Sequence, residues 1–183
     1  MTNPVHGSGS FERKIPPGDT HPRLVCTECG FIHYENPRIV VGSVCVWSDR
    51  LLLCRRSIEP RSGYWTIPAG FMELNETAVA GARREAWEEA CARIEIDSLL
   101  GVYNVPRISQ VQLIYRARLL TPDVEAGEET SEVALFEWDE IPWDELAFPS
   151  VPWALRHYRE VIGQAVFTSF THPLDDTQPP SHP

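Results

Sequence analysis

One stretch limits this chain more than any other: the segment from Asn75 to Ala92, rich in Ala, Glu and Arg, without proline or glycine except Gly81. It predicts a helix capped by Asn75 or Thr77 and running to about Ala92. At about 100° per residue, Glu85, Glu88 and Glu89 fall within roughly 100° of one another on that helix. Ala78 and Ala82 precede them on the same face, and Val79, Ala86 and Ala90 make an adjacent stripe small enough to lie on a sheet. Such a helix must pack on a sheet along one stripe and hold three carboxylates beside it.

The rest of the chain supplies the sheet. Arg38–Trp47 is rich in β-branched residues and reads as a strand. Ser48-Asp49-Arg50 turns into a second strand, Leu51–Cys54, which ends on Arg55-Arg56. Trp65–Ile67 is short and extended, and Ile94–Leu100 reads as a strand. Ile108–Leu119 alternates, with Val111, Leu113, Tyr115, Ala117 and Leu119 on one face. Val133–Trp138 is another strand and Pro152–Ile162 a second helix. Strands outnumber helices without alternating regularly, so the fold class expected is α+β, a mixed sheet with helices on its faces. Four segments follow: an arm over 1–22, a cysteine-bearing segment over 23–37, the main domain over 38–170, and a Pro-rich tail over 171–183.

Composition narrows the partners. Lys and Arg number 16 against 26 Asp and Glu in 183 residues, a formal charge of −10 with a pI near 5.0. A broad basic face for nucleic acid is therefore not expected. The longest nearly apolar run, Ile39–Trp47, falls far short of the roughly 20 residues of a membrane span. Five cysteines are an odd number in a chain above mini-protein size, which argues against a disulfide framework. The N-terminus has no basic-then-apolar export pattern, and the expected location is the cytoplasm.

Three carboxylates on one face repel one another unless a cation neutralises them. Hard oxygens at close spacing suit Mg²⁺ or Mn²⁺, with water and substrate phosphate filling the remaining positions. A solvated acidic face paired with arginines would look the same from these three residues alone.

The wider pattern separates the two readings. Gly70, five residues, Glu76, seven residues, Arg84-Glu85, then Glu88-Glu89 resembles the Nudix box; its last two positions are Cys91 and Ala92, so the usual glycine is lost. Gly63-Tyr-Trp-Thr-Ile-Pro-Ala-Gly70 and Phe136-Glu-Trp-Asp-Glu-Ile-Pro142 look like strands and turns of the same family, and the resemblance spans about 38–165. It implies the Nudix α/β/α sandwich and hydrolysis of a nucleoside diphosphate linked to another moiety. By matching position, Glu85, Glu88 and Glu89 would be metal ligands with the Gly70 carbonyl as a further one, and Arg84 would orient the carboxylates. Glu76, about 180° round the helix from Glu85, is better placed to support the loop than to join the ligands. The catalytic set expected is Arg84, Glu85, Glu88, Glu89 and, as the base on a loop outside the box, Glu132, with Glu129 the other candidate for that role. Arg55 and Arg56 are candidates for phosphate, and Tyr64, Tyr103 and Phe148 for stacking on adenine. Cys91 predicts either a left-handed residue at a cost of about 1 kcal/mol or a helix that ends elsewhere.

Cys26-Thr-Glu-Cys29-Gly30 has the spacing of half a zinc ribbon. With Ile15-Pro-Pro-Gly-Asp19 before it and Tyr34-Glu-Asn-Pro-Arg38 after it, it resembles the ribbon that precedes the hydrolase domain in one Nudix subgroup. The second cysteine pair is missing; His6, His21 or His33 could substitute, and the alternative is a ribbon remnant held by packing. That subgroup implies ADP-ribose or FAD as substrate, cleaved to two monophosphates, and a homodimer. NADH, nucleoside triphosphates, or a nucleotide sensor without catalysis are the alternatives.

Overall fold

The computed structural model describes residues 10–172 of the chain. His6, a candidate zinc ligand, and most of the Pro-rich tail lie outside them. The chain divides into two compact units, up to Pro37 and from Arg38 onward.

The first unit is a three-stranded antiparallel sheet of β1 (Phe11–Lys14), β2 (Arg23–Cys26) and β3 (Ile32–His33), with β2 in the middle. Phe11 pairs with Cys26 and Lys14 with Arg23, so the expected border between arm and ribbon at residue 22 falls inside one sheet. The strand Phe-Glu-Arg-Lys is polar and exposed, which is why it leaves no apolar signature in the sequence.

The second unit is a mixed sheet. Its strands are β4 (Arg38–Trp47), β5 (Arg50–Arg56), β6 (Trp65–Thr66), β7 (Ala69–Phe71), β8 (Ile94–Val105), β9 (Gln110–Leu119), β10 (Thr130–Phe136) and β11 (Phe170–His172). The order is β10-β5-β4-β9-β8-β11, with β6 paired to β5 and β7 to β4. β4 runs parallel to β9, and β11 parallel to β8; the other pairs are antiparallel. Two helices, α1 (Ala78–Ala90) and α2 (Ser150–Glu160), cover the faces.

Strand alternation decides which residue meets which helix. Val44, Leu51, Leu53, Leu100, Tyr103 and Ile114 pack with Val151, Ala154 and Leu155 of α2. Their neighbours Cys45, Leu52, Cys54, Ala117 and Leu119 pack with Ala86 and Ala90 of α1. The α/β/α sandwich therefore follows from strands that are apolar on both faces, the mark of a covered sheet. β8 extends to Val105, beyond the expected end at Leu100, because the antiparallel ladder with β9 continues to the pair Val105 and Gln110. Phe170 and Thr171 pair with Gly101 and Val102, so the chain enters the sheet at a border read from sequence as the start of a tail.

Candidate active site

The site is assembled on α1 and the turn before it. Thr77 caps the helix, its Oγ1 accepting from the Ala80 N–H at 3.1 Å. Asn75, the other candidate cap, sits two residues earlier with φ 66°. At the far end Cys91 takes the left-handed conformation, φ 47° and ψ 24°, and donates to the Trp87 carbonyl at 2.8 Å. The helix thus ends where the family glycine would end it, with cysteine carrying the conformational cost.

The three glutamates do not share one environment. Glu85 and Glu89 are buried, each 8% exposed, whereas Glu88 points outward. Glu89 accepts from the Ala69 N–H at 3.1 Å, and burial pushes its carboxyl up to about 8. Burial also raises Glu85, against the pull of the neighbouring Arg84 guanidinium. Arg84 occupies the centre of the cluster. Its Nη1 donates to Glu85 and to Glu88, each at 2.7 Å, its Nη2 to Glu76 and to the Phe71 carbonyl, each at 2.9 Å, and its Nε to Glu76 at 3.1 Å. Glu76 also accepts from the Glu73 N–H at 2.6 Å, and these two donors hold its carboxyl below the usual range. The resulting frame locks loop 71–76 to the helix through one guanidinium.

Gly70 belongs to β7, opposite Val41 of β4. A Cβ built on it would run into the Glu85 carboxylate, so a side chain at 70 would push that carboxylate aside. Three carboxylates, those of Glu85 and Glu89 buried and that of Glu88 exposed, beside the Gly70 backbone of β7 form a set of hard oxygen donors that fits a small divalent cation. Among the described residues no three such side chains yet converge as a finished cage; Arg84 holds Glu85 and Glu88 instead.

The surrounding candidates separate. Arg55 donates to the Gly63 carbonyl at 2.8 Å and pairs with Glu132 at 3.3 Å, lying over Trp65. Arg56 donates to the Pro60 carbonyl at 2.9 Å and lies over Phe148, and its charge bears on Glu89. Of the two candidate bases, Glu129 acts on Glu89 electrostatically, whereas Glu132 faces Arg55. Tyr103 is withdrawn from any stacking role: it is fully buried, with its hydroxyl 2.9 Å from Nδ1 of His157. Tyr64 lies under Arg61. Sequence reasoning missed the parts that act through backbone: Ala69 N–H, the Phe71 carbonyl and Gly127. Gly127 sits against the last turn of α1, and nothing in an acidic loop marks it.

In the first unit, Cys26 is buried and Cys29 exposed, and Gly30 with φ 74° donates to the Cys26 carbonyl at 3.0 Å. The N–H groups of Cys29 and Glu28 aimed at the Cys26 sulfur hold its thiol below the ordinary value. His21 is engaged with Thr20 at 2.8 Å and His33 is exposed. The pair is half of a four-ligand set, and among the described residues no third ligand joins it.

Family models agree with this architecture. The model described as NUDIX domain matches residues 36–160, and the one described as Nudix N-terminal matches 7–35. The chain belongs to the Nudix hydrolase family. A NUDIX hydrolase from Nitrosomonas europaea superposes with a TM-score of 0.86 at 46% identity, covering 93% of this chain and 98% of that one. A MutT-like protein of Streptomyces ambofaciens is 35% identical over 102 residues, 56% of this chain and 64% of the relative. An ADP-ribose pyrophosphatase of Methanocaldococcus jannaschii is 29% identical over 119 residues, 63% of this chain and 69% of the relative. The chain thus spans about two thirds of these two relatives.

Proposed function

We propose that this chain hydrolyses the pyrophosphate bond of nucleoside diphosphate-linked compounds in the cytoplasm, with Mg²⁺ or Mn²⁺, ADP-ribose or FAD being preferred. The observation that carries the reading is Glu89, a buried carboxylate held by a single backbone donor, with Glu85 and Glu88 on the same helix and the Gly70 backbone against Glu85. A protein keeps such charges out of water only where a cation or a proton compensates them.

A divalent cation, when bound, neutralises the bridge oxygens and lowers the pKa of a water held in line with the bond. Glu85, Glu88, Glu89 and the Gly70 carbonyl would hold it. Arg84 holds the Glu85 and Glu88 carboxylates together against their mutual repulsion and ties the helix to loop 71–76. Glu129 is the base that takes the water proton, a choice supported by its action on Glu89 and by the engagement of Glu132 with Arg55. Arg56, which balances part of the negative charge at Glu89, meets the phosphates.

Charge supports the choice of substrate. A diphosphate diester brings about two negative charges and a triphosphate about four, and a site lined by carboxylates with few free cations suits the former. The named activity of the Methanocaldococcus relative points the same way. Attack on either bridge phosphorus gives AMP with ribose 5-phosphate, or AMP with FMN. The deciding experiment follows products by chromatography over ADP-ribose, FAD, NADH and several triphosphates, with and without Mg²⁺. ADP-ribose or FAD should exceed any triphosphate in kcat/KM by at least about tenfold, a gap of only about 1.4 kcal/mol. Pyrophosphate release from a triphosphate as the fastest reaction would overturn the assignment. Light scattering on the same preparation tests the homodimer that the family resemblance implies.

A further inference from the structure

We infer that Gly127 is a positioning residue: it lets the loop carrying Glu129 lie backbone to backbone on the last turn of α1, and so fixes that carboxylate relative to Glu89. The inference rests on the proposed hydrolase reading for its catalytic readout.

The last carbonyls of a helix have no partner within it and must find one outside. Here the loop supplies them. The Glu125 N–H donates to the Ala90 carbonyl at 2.9 Å, and the Gly127 N–H to the Glu89 carbonyl at 3.1 Å. Gly127 does not need glycine for its conformation, because its φ lies outside the left-handed range. It needs glycine for space: a Cβ built there would run into the Glu88 carbonyl oxygen, with the Glu88 carbonyl carbon at 2.8 Å. Both obstacles are helix backbone, which cannot rotate aside, so any side chain at 127 must lift the loop.

The loop is tied at its other end too. The Ser57 N–H donates to the Glu129 carbonyl at 2.9 Å, and Ser57 Oγ to the Glu128 carbonyl at 3.3 Å. The Thr130 N–H closes back on the Gly127 carbonyl at 3.1 Å, and Ser131 Oγ donates to the Arg55 carbonyl. The segment 125–131 therefore bridges the ligand helix and the end of β5, and Gly127 is the point at which it meets the backbone of Glu88 and Glu89. A displacement of about 1 Å at such a seat can cost on the order of 10²-fold in rate without touching substrate affinity.

The test is a double-mutant cycle read in kcat and KM on ADP-ribose with saturating Mg²⁺. Gly127→Ala should lower kcat about tenfold or more and leave KM within about twofold. In a Glu129→Gln background the same change should cost no more than about twofold, because the group it positions is gone. Asp123→Ala, exposed on the same loop, should leave both constants unchanged. Equal losses in both backgrounds, or no loss in either, would overturn the inference. If Gly127→Ala does not fold, Ser57→Ala removes the hydroxyl bond to the Glu128 carbonyl at the other end, with an expected loss of about threefold that again vanishes beside Glu129→Gln. A parent inactive on every substrate would sink the functional reading. Amide exchange then decides the positioning claim: faster exchange at Ser57 and Thr130 in Gly127→Ala supports it, and unchanged protection overturns it.

Discussion

Glu89 is a carboxylate with one backbone donor and almost no water, and its state depends on what else enters the site. Without metal its carboxyl titrates near 8, against an ordinary 4.5. A carboxyl raised on folding adds stability fully present below the unfolded value and lost as pH rises through the folded one. Metal-free protein should therefore melt at progressively lower temperature between about pH 5 and pH 8, and Glu89→Gln should flatten that slope. Calorimetry in chelator measures both. The same substitution should cut turnover by orders of magnitude with Mg²⁺ present, since it removes a ligand charge while keeping the side-chain volume. A Glu89→Gln enzyme as fast as the parent would remove the metal from the mechanism.

At the scale of elements, two contacts matter, and the first reverses what propensity alone would predict. Gly81 lies inside α1, where replacement by alanine ordinarily stabilises by about 1 kcal/mol. Here a Cβ would come within 2.6 Å of Glu76 Oε1 and 2.8 Å of Val41 Cγ2. Glu76 is held by Arg84 and Val41 is fully buried, so neither yields cheaply. Gly81→Ala should destabilise by about 1–3 kcal/mol in urea titration. The second contact closes the sheet edge. His157 of α2 stacks on Phe170 of β11 at 4.1 Å and bonds to Tyr103. Burial lowers its pKa, with Glu160 opposing and His172 assisting. A histidine lowered on folding contributes stability that is present above about 6.5 and is lost as pH falls toward the folded value. Acid should loosen β11, read as lower amide protection factors, corrected for the intrinsic exchange rate at each pH, at Phe170 to His172 below pH 6.5, and His157→Gln should remove that pH dependence.

For the whole molecule, the two units offer different donor atoms. Thiols in the unit up to Pro37 prefer zinc; carboxylates in the unit from Arg38 prefer magnesium. Replacing Cys26 and Cys29 together by serine should therefore lower the melting temperature while leaving turnover per folded molecule within about twofold. A loss of turnover in fully folded protein would tie the first unit to catalysis. Elemental analysis of the same sample reads zinc directly. Among the described residues no helix is long and apolar enough to cross a membrane.

Helical and strand periodicities are local, so α1, α2 and most strands from Arg38 to Phe136 could be read from residue order, β7 and the last residues of β8 excepted, as could the crowding of Glu85, Glu88 and Glu89. Motif spacing likewise carried Gly70, Arg84 and the cysteine pair, because each is fixed relative to residues a few positions away. The polar strand Phe11–Lys14 and the short strand Phe170–His172 were not legible, since their partners, not their own patterns, make them strands. Equally hidden were the burial that separates Glu85 and Glu89 from Glu88, the pairing of Glu132 with Arg55, and the seat of Gly127 on Glu88. Each depends on which surface folding brings opposite the residue. The sequence by itself determined the crowding of the three glutamates and the elements that carry them; tertiary structure decided which carboxylates lose their water and which loop residue stands beside them.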